Sequence, residues 1–411
     1  MEAAGIRFVV DPLATALVLA YVASGICLGT ISGLTPGLHA NTFALLLASL
    51  ASAVPGPPQY VAAAMLAAGV VHTFLDIVPS LALGVPDPAM AATALPGHRL
   101  VLEGRGREAL RLSALGSGLA VLAAVPLAIP LTKGMRAGMP WLEAHLSVVL
   151  TAVVAVLIMS EPDRAARIGA ALAFAASAAL GFAALDLPVG GVVPVGNTLA
   201  PLFAGLFGAP ILLDSIGGAG VPPQDEPVVL TTRWLVVGLA AMGTLAGAVV
   251  GFLPGVSSAI AATMVLLAMP RARGAREFVV ATSGVNTATA IFALVAFVTF
   301  GSTRTGVVVA VDSVNAPQSL ALWLLAIAIA SLAGFTLVIL VGDRYLRVVG
   351  RLDNTRLSVG VLALLVVLLW LLSGVVGLGI FLAATAVGLL PPRVGARRVS
   401  LMGVLLGPLI L

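Results

Sequence analysis

Gly25, Gly29, Gly33, Pro36 and Gly37 form a Gly-x3-Gly-x3-Gly-x2-Pro-Gly run, and Gly243, Gly247, Gly251, Pro254 and Gly255 form it again. Each pair is separated by 218 residues, about half of the 411-residue chain. Five registered matches without a gap point to an internal duplication. The plainer alternative is two independent helix-packing faces of the small-xxx-small kind. Either way the glycines sit in apolar helices, and composition decides their solvent. The chain is 60% hydrophobic and 9% charged, whereas soluble domains carry about 25% charged residues. So few charges cannot cover a water-facing surface, which excludes a soluble enzyme. Disorder is excluded because it requires low hydrophobicity. The chain reads as an all-α polytopic protein of the cell membrane, with about ten to fourteen crossings of ~20 residues each.

The sparse charges orient the two copies. After the first Pro-Gly, the apolar stretch Thr42 to Val54 ends without a basic residue; after the second, Val256 to Met269 ends in Arg271, Arg273 and Arg276. The next loop reverses the bias: Arg99, Arg105, Arg107 and Arg111 in copy one, and none from Asp312 to Ser319 in copy two. Equivalent loops with opposite positive-inside signatures are the expectation for inverted-topology repeats. With 97–111 in the cytoplasm, threading 112–131, 141–159, 168–186, 194–213, 278–300, 320–342, 357–372 and 374–390 places nearly all other arginines inside. Arg7, Lys133 and Arg136 are the exceptions, and Arg304 falls within the membrane. The expected organisation is a first repeat at 1–213, a cytoplasmic connection at 214–233 and a second, inverted repeat at 234–411.

Each Pro-Gly divides an apolar region. The 13 residues Thr42 to Val54 make a helix of about 20 Å, short of the ~30 Å hydrocarbon core. This predicts half-helices, or hairpins that turn within the membrane; a proline kink in an ordinary spanning helix is the alternative. Proline lacks the N–H a helix needs and glycine accepts the dihedrals of a break. A half-helix N-terminus then offers free N–H groups to an anion. Pro36, Gly37, His39 and Asn41 belong to one such tip, and Pro254, Gly255, Ser257 and Ser258 to the other.

Polar residues inside apolar runs add candidates. His72, Thr73 and Asp76 lie in 61–83, with His72 and Asp76 on one helix face. They are candidates for ion coupling, and equally for a satisfied buried pair. Asn286 and Thr287 lie in the corresponding run of copy two. A second break follows each run, at Gly84 to Pro88 and at Gly301 to Gly306. The second break holds Arg304, a partner for a substrate carboxylate or phosphate, or for Asp76 or Asp312 in an internal ion pair. The substrate-binding candidates are therefore Pro36, Gly37, His39, Asn41, Pro254, Gly255, Ser257, Ser258, Asn286, Thr287 and Arg304; the coupling candidates are His72, Thr73 and Asp76.

Other chemistries find little support. Cys27 is alone, so no intrachain disulfide forms, and the four histidines show no metal-ligand spacing. There are no paired carboxylates, no His-Glu-x-x-His and no Gly-x-Ser-x-Gly. No long basic run suggests nucleic acid. No cofactor and no metal site is expected. Duplicated broken helices favour a carrier over a channel.

The stretches Gly33-Leu34-Thr35-Pro36-Gly37-Leu38, Gly251-Phe252-Leu253-Pro254-Gly255-Val256, Gly69 through Gly118 and Pro201 through Gly208 resemble the TctA family, the large membrane subunit of tripartite tricarboxylate transporters. Thr93-Ala94-Leu95-Pro96-Gly97 and Gly104-Arg105-Gly106-Arg107-Glu108-Ala109-Leu110 carry most of the likeness. Pro96 stands where the family usually has Asp, and Pro86-Asp87 where it has Pro-Gly, so the chain resembles a divergent, archaeal-type member. The resemblance implies a secondary transporter of a di- or tricarboxylate, coupled to H+ or Na+ by alternating access. It also implies a small membrane subunit and an extracellular substrate-binding protein; a homodimer stays open. Pro254-Gly255-Val256-Ser257-Ser258 is also similar to the polyprenyl-phosphate translocases, which makes a lipid-phosphate flippase the alternative.

Overall fold

A computed structural model describes every residue except 1, 4, 5, 8–10, 37, 39, 52, 53, 85–93, 194–197, 219, 253–257 and 269–273. Two two-residue strands, Glu2–Ala3 and Ile6–Arg7, precede a chain of helices. The first half holds α1 (Pro12–Leu34), α2 (Ala40–Ala51), α3 (Pro58–Leu75), α4 (Ile77–Leu83), α5 (Ala94–Leu102), α6 (Gly106–Ala144), α7 (Leu146–Met159) and α8 (Arg164–Ala184). It closes with α9 (Leu199–Phe203) and α10 (Ala209–Ser215), joined by a π-helical turn. The second half holds α11 (Arg233–Phe252), α12 (Ser258–Ala268), α13 (Ala275–Phe300), α14 (Gly306–Ser313), α15 (Leu320–Val349) and α16 (Asn354–Gly388). It closes with α17 (Leu390–Arg393), a 3-10 turn (Arg398–Met402) and α18 (Gly403–Ile410).

Among the described residues, eight helical segments are long and apolar enough to cross a bilayer: α1, α3 with α4, α6, α8, α11, α13, α15 and α16 with α17. The protein is an all-α, multi-pass membrane protein. The run expected to end at residue 131 continues to Ala144, through Pro126, Pro130 and Pro140. Interior prolines remove single hydrogen bonds but are tolerated in membrane helices, where neighbours and local adjustments re-satisfy the freed groups.

Helix α16 is 35 residues long, yet both of its ends lie against one short segment. Asn354 Nδ2 donates to the Ser215 carbonyl at 2.6 Å, and Ser358 Oγ lies 2.9 Å from Ser215 Oγ. At the other end Gly388 touches Leu206 and Pro210. A straight helix would separate those ends by about 50 Å. The chain therefore doubles back at Gly374, whose φ of 63° and ψ of −158° are non-helical. This agrees with the two runs 357–372 and 374–390 read from the sequence.

Packing follows one pattern in both halves. α1 packs along α3, and α11 along α13; α6 packs on α13, and α15 on α3. α5 packs on α13, and α14 on α3. These helices share the larger apolar core, while α7, α8, the α9–α10 segment, the end of α16 and α18 share a second cluster.

Candidate functional site

The repeated glycines set the depth of the two breaks. A Cβ on Gly25 would lie 2.2 Å from the Ala64 carbonyl oxygen, one on Gly29 2.4 Å from that of Ala68, and one on Gly33 2.8 Å from Leu75 Cβ. Such approaches are open only to glycine, so α1 and α3 lie backbone to backbone. The contacts advance together, so the helices run parallel, and α1 ends at the level of His72 to Asp76. α2 then returns: Tyr21 Oη donates to the Pro55 carbonyl, and the Tyr21 and Tyr60 rings are 6.0 Å apart. α1 and α2 thus form a closed hairpin. In the second half, Gly243 meets Ala281, Gly247 meets Val285 and Ala288, and Gly251 meets Phe292, so α11 runs parallel to α13.

Asp76 sits where α3 gives way to α4. Pro79 lacks the N–H that would bond the Leu75 carbonyl, and the helix parts there. The carboxylate is buried, and its Oδ2 accepts from Asn286 Nδ2 at 2.8 Å. A neutral donor from the second half thus meets the acid of the first. His72 is fully buried. Its Nδ1 is 2.9 Å from Ser32 Oγ on α1, and Phe43 of α2 stacks on its ring at 6.2 Å and 13°.

Beside this pair runs a ladder of buried hydroxyls. Thr73 Oγ1 lies 3.5 Å from Thr287 Oγ1, which donates to Ser117 Oγ at 2.9 Å. Ser117 Oγ donates to the Ser283 carbonyl at 3.2 Å, and Ser283 Oγ to Ser113 Oγ at 2.8 Å. Because a carbonyl interrupts the series, it is a seam between α6 and α13 rather than an unbroken proton path. Ser32, Phe43, Ser113 and Ser117 were missed in the sequence; the only signal was the four-residue spacing of Ser113 and Ser117.

Arg304 lies between α13, which ends at Gly301 with φ of 67°, and α14, which Thr305 caps. Three residues on, Val307 presses against Gly69 of α3, one turn before Thr73. Arg304 is half-buried; its Nε is shielded from solvent and makes no hydrogen bond among the described residues. No ion pair joins it to Asp76 or Asp312 there.

The structure therefore brings together His72, Thr73, Asp76, Asn286 and Thr287, with the Arg304 segment against α3. Pro36 and Ser258 are buried at the ends of the two breaks. Gly37, His39, Pro254, Gly255 and Ser257, and the side chain of Asn41, lie outside the described residues.

Four of the arginines assigned to the cytoplasm, Arg105, Arg107, Arg111 and Arg276, gather at one end. Buried Glu108 accepts from Arg105 Nε at 2.7 Å, from Arg276 Nε at 2.9 Å and from the Leu230 N–H at 2.9 Å. Asp343 accepts from Arg111 at 2.9 and 3.0 Å and from Arg107 at 3.2 Å. Partner desolvation is met by matched charge on both sides, the condition for a buried pair to hold.

A model of the tripartite tricarboxylate transporter TctA family matches residues 19–403. The chain belongs to the TctA family. An uncharacterized protein of Methanocaldococcus jannaschii is 26% identical over 406 residues, covering 96% of this chain and 98% of that one. No solved structure matches. As a TctA member the chain is a transporter subunit of the membrane and not an enzyme, from a family that works with a small membrane subunit and a substrate-binding protein. The family match does not favour the lipid-phosphate alternative.

Proposed function

We propose that this TctA member carries a small organic anion, a di- or tricarboxylate, by alternating access coupled to H+ or Na+. The observation that carries the reading is the meeting of Asp76 and Asn286. One residue from each half joins at the depth where α1 ends, which is where a carrier built of two inverted repeats holds its substrate. α2 and α12, at 12 and 11 residues, are too short to span, which supports re-entrant hairpins. The exchange of packing partners between halves supports repeats at 1–213 and 234–411 around the connection 214–233.

Charge arithmetic narrows the cargo. Arg304 offers one positive charge, and each half-helix N-terminus about half of one. Together they balance a dicarboxylate once the charge of the Asp76 carboxylate is itself neutralised. A cation or proton at Asp76, where the Thr73 and Thr287 hydroxyls add oxygen ligands, supplies that neutralisation, and a tricarboxylate brings a third negative charge that needs a further cation. His39, Asn41, Ser257, Ser258, Asn286 and Thr287 orient the anion at the two tips, and His72 with Asp76 carries the coupling.

The test is uptake of radiolabelled succinate and citrate into proteoliposomes holding the chain with its small membrane subunit and binding protein. Uptake that follows an imposed Na+ or H+ gradient is expected. Absence of gradient-driven carboxylate uptake, together with exposure of a lipid phosphate in the same vesicles, would overturn the reading.

A further inference from the structure

A cavity lies beside the Asp214–Arg398 ion pair. It encloses about 330 Å³ and is walled by Leu83, Leu102, Ile211, Leu212 and Val221. Its polar lining comes from three places: His98 on α5, Asp214 and Ser215 at the end of α10, and Asn354 and Ser358 at the start of α16. No carrier step above uses these residues.

Among the described residues of this lining, side-chain acceptors outnumber side-chain donors. His98 Nδ1 lies 2.7 Å from the Leu81 carbonyl. A carbonyl only accepts, so Nδ1 carries the proton and Nε2 the lone pair. Burial pushes the His98 pKa down, keeping the ring neutral. Ser215 Oγ donates to the Leu212 carbonyl at 2.8 Å, so the 2.9 Å contact with Ser358 Oγ uses the Ser358 hydrogen. Asn354 spends an amide hydrogen on the Ser215 carbonyl. The nearby N–H groups of Gly217 and Gly218 are taken by Thr355 Oγ1 and the Ser215 carbonyl. Asp214 is held from behind by buried Arg398 through Oδ2 at 3.2 Å, which leaves Oδ1. Among the described residues this leaves His98 Nε2, Asp214 Oδ1, Asn354 Oδ1 and serine lone pairs as acceptors, beside the second Asn354 amide hydrogen. The free Asp214 carboxylate oxygen disfavours an anion such as the carried carboxylate and favours a cation.

We propose that this cavity binds a primary ammonium borne on an aliphatic chain. The ammonium would donate its three hydrogens to Asp214, Asn354 and His98, and the apolar walls would take the first carbons of the chain. A lipid with an ethanolamine headgroup and a soluble alkylamine present the same chemistry. The site's volume lies within the range of small-molecule pockets.

The experiment uses the full chain in detergent and measures binding of short-chain phosphatidylethanolamine and of octylamine by native mass spectrometry. Phosphatidylglycerol and octanoate, of matched length, are the controls. The expected result is that at least one amine binds and neither control does, with the responding amine naming the source. Ala82→Phe, which fills the cavity, should abolish that binding, and Asp214→Asn should weaken it at least tenfold. Thermal unfolding of each variant checks folding; if Asp214→Asn unfolds because Arg398 loses its partner, Ala82→Phe decides. Equal binding of the acidic controls, no amine binding, or amine binding unchanged in Ala82→Phe would overturn the proposal.

Discussion

α3 and α13 hold equivalent places in the two halves and end alike. Each long segment closes on a glycine with positive φ, Gly84 at 69° and Gly301 at 67°, and each receives three glycines of a neighbouring helix along its backbone. Their interiors differ. The first segment parts at Asp76 and carries a buried acid and His72, whereas α13 runs unbroken from Ala275 to Phe300 and, beyond Arg276 and Glu277 in its first turn, holds only neutral polar groups. With the register set by Gly84 and Gly301, Asp76 aligns with Ala293, His72 with Thr289 and Gly69 with Asn286. The backbone devices are shared, and the chemistry is not. Two similarly packed helices thus present an acid from one side and its neutral donor from the other.

The shared part is the most severe to disturb. Gly29→Leu and Gly247→Leu each drive a side chain into backbone or packed Cβ atoms at 2.4 to 2.7 Å, costing about 3 kcal/mol or more. Both variants should lose monodisperse protein in detergent by size-exclusion chromatography. A tolerated Gly247→Leu would break the equivalence of the halves.

The unshared part should separate folding from transport. Asp76→Asn keeps shape but removes the buried carboxylate between α3 and α4, and gradient-driven accumulation in proteoliposomes should disappear while thermal stability holds. Arg304→Gln should raise KM about tenfold, the worth of a lost charge-assisted hydrogen bond, with kcat little changed. Arg304→Lys should rescue only partly, because an ammonium lacks the planar fork. Smallest is Ser113→Ala, which removes one rung of the hydroxyl seam. Interhelical hydrogen bonds in membranes average about 0.6 kcal/mol, so a slight fall in unfolding temperature and unaltered uptake are expected.

Much of this frame is legible in the sequence because its devices are local. Glycine spacing, the second breaks at Gly84 and Gly301, and the side taken by most arginines are read directly, and the structure gathers Arg105, Arg107, Arg111 and Arg276 at one face. The doubling-back at Gly374 is visible as a gap between two apolar runs. What the sequence hides is pairing across helices. Ser113 and Ser117 read as small residues in an alanine-rich helix until Ser283 and Thr287 face them. Ser32 reads as part of a glycine face until His72 meets it. The length of α6 is hidden for another reason: Pro126 and Pro130 signal a stop in water but not among packed membrane helices. The tips themselves, with Gly37, His39 and Pro254 to Ser257, lie outside the described residues.

The central claim is that the acid of one half couples a carboxylate to an ion gradient. Its most direct measurement compares two assays of one proteoliposome preparation, with the partner subunits present: concentrative uptake of labelled carboxylate under a Na+ or H+ gradient, and exchange at equilibrium without one. The account predicts that Asp76→Asn abolishes the first and retains the second. Full concentrative uptake by Asp76→Asn would contradict it.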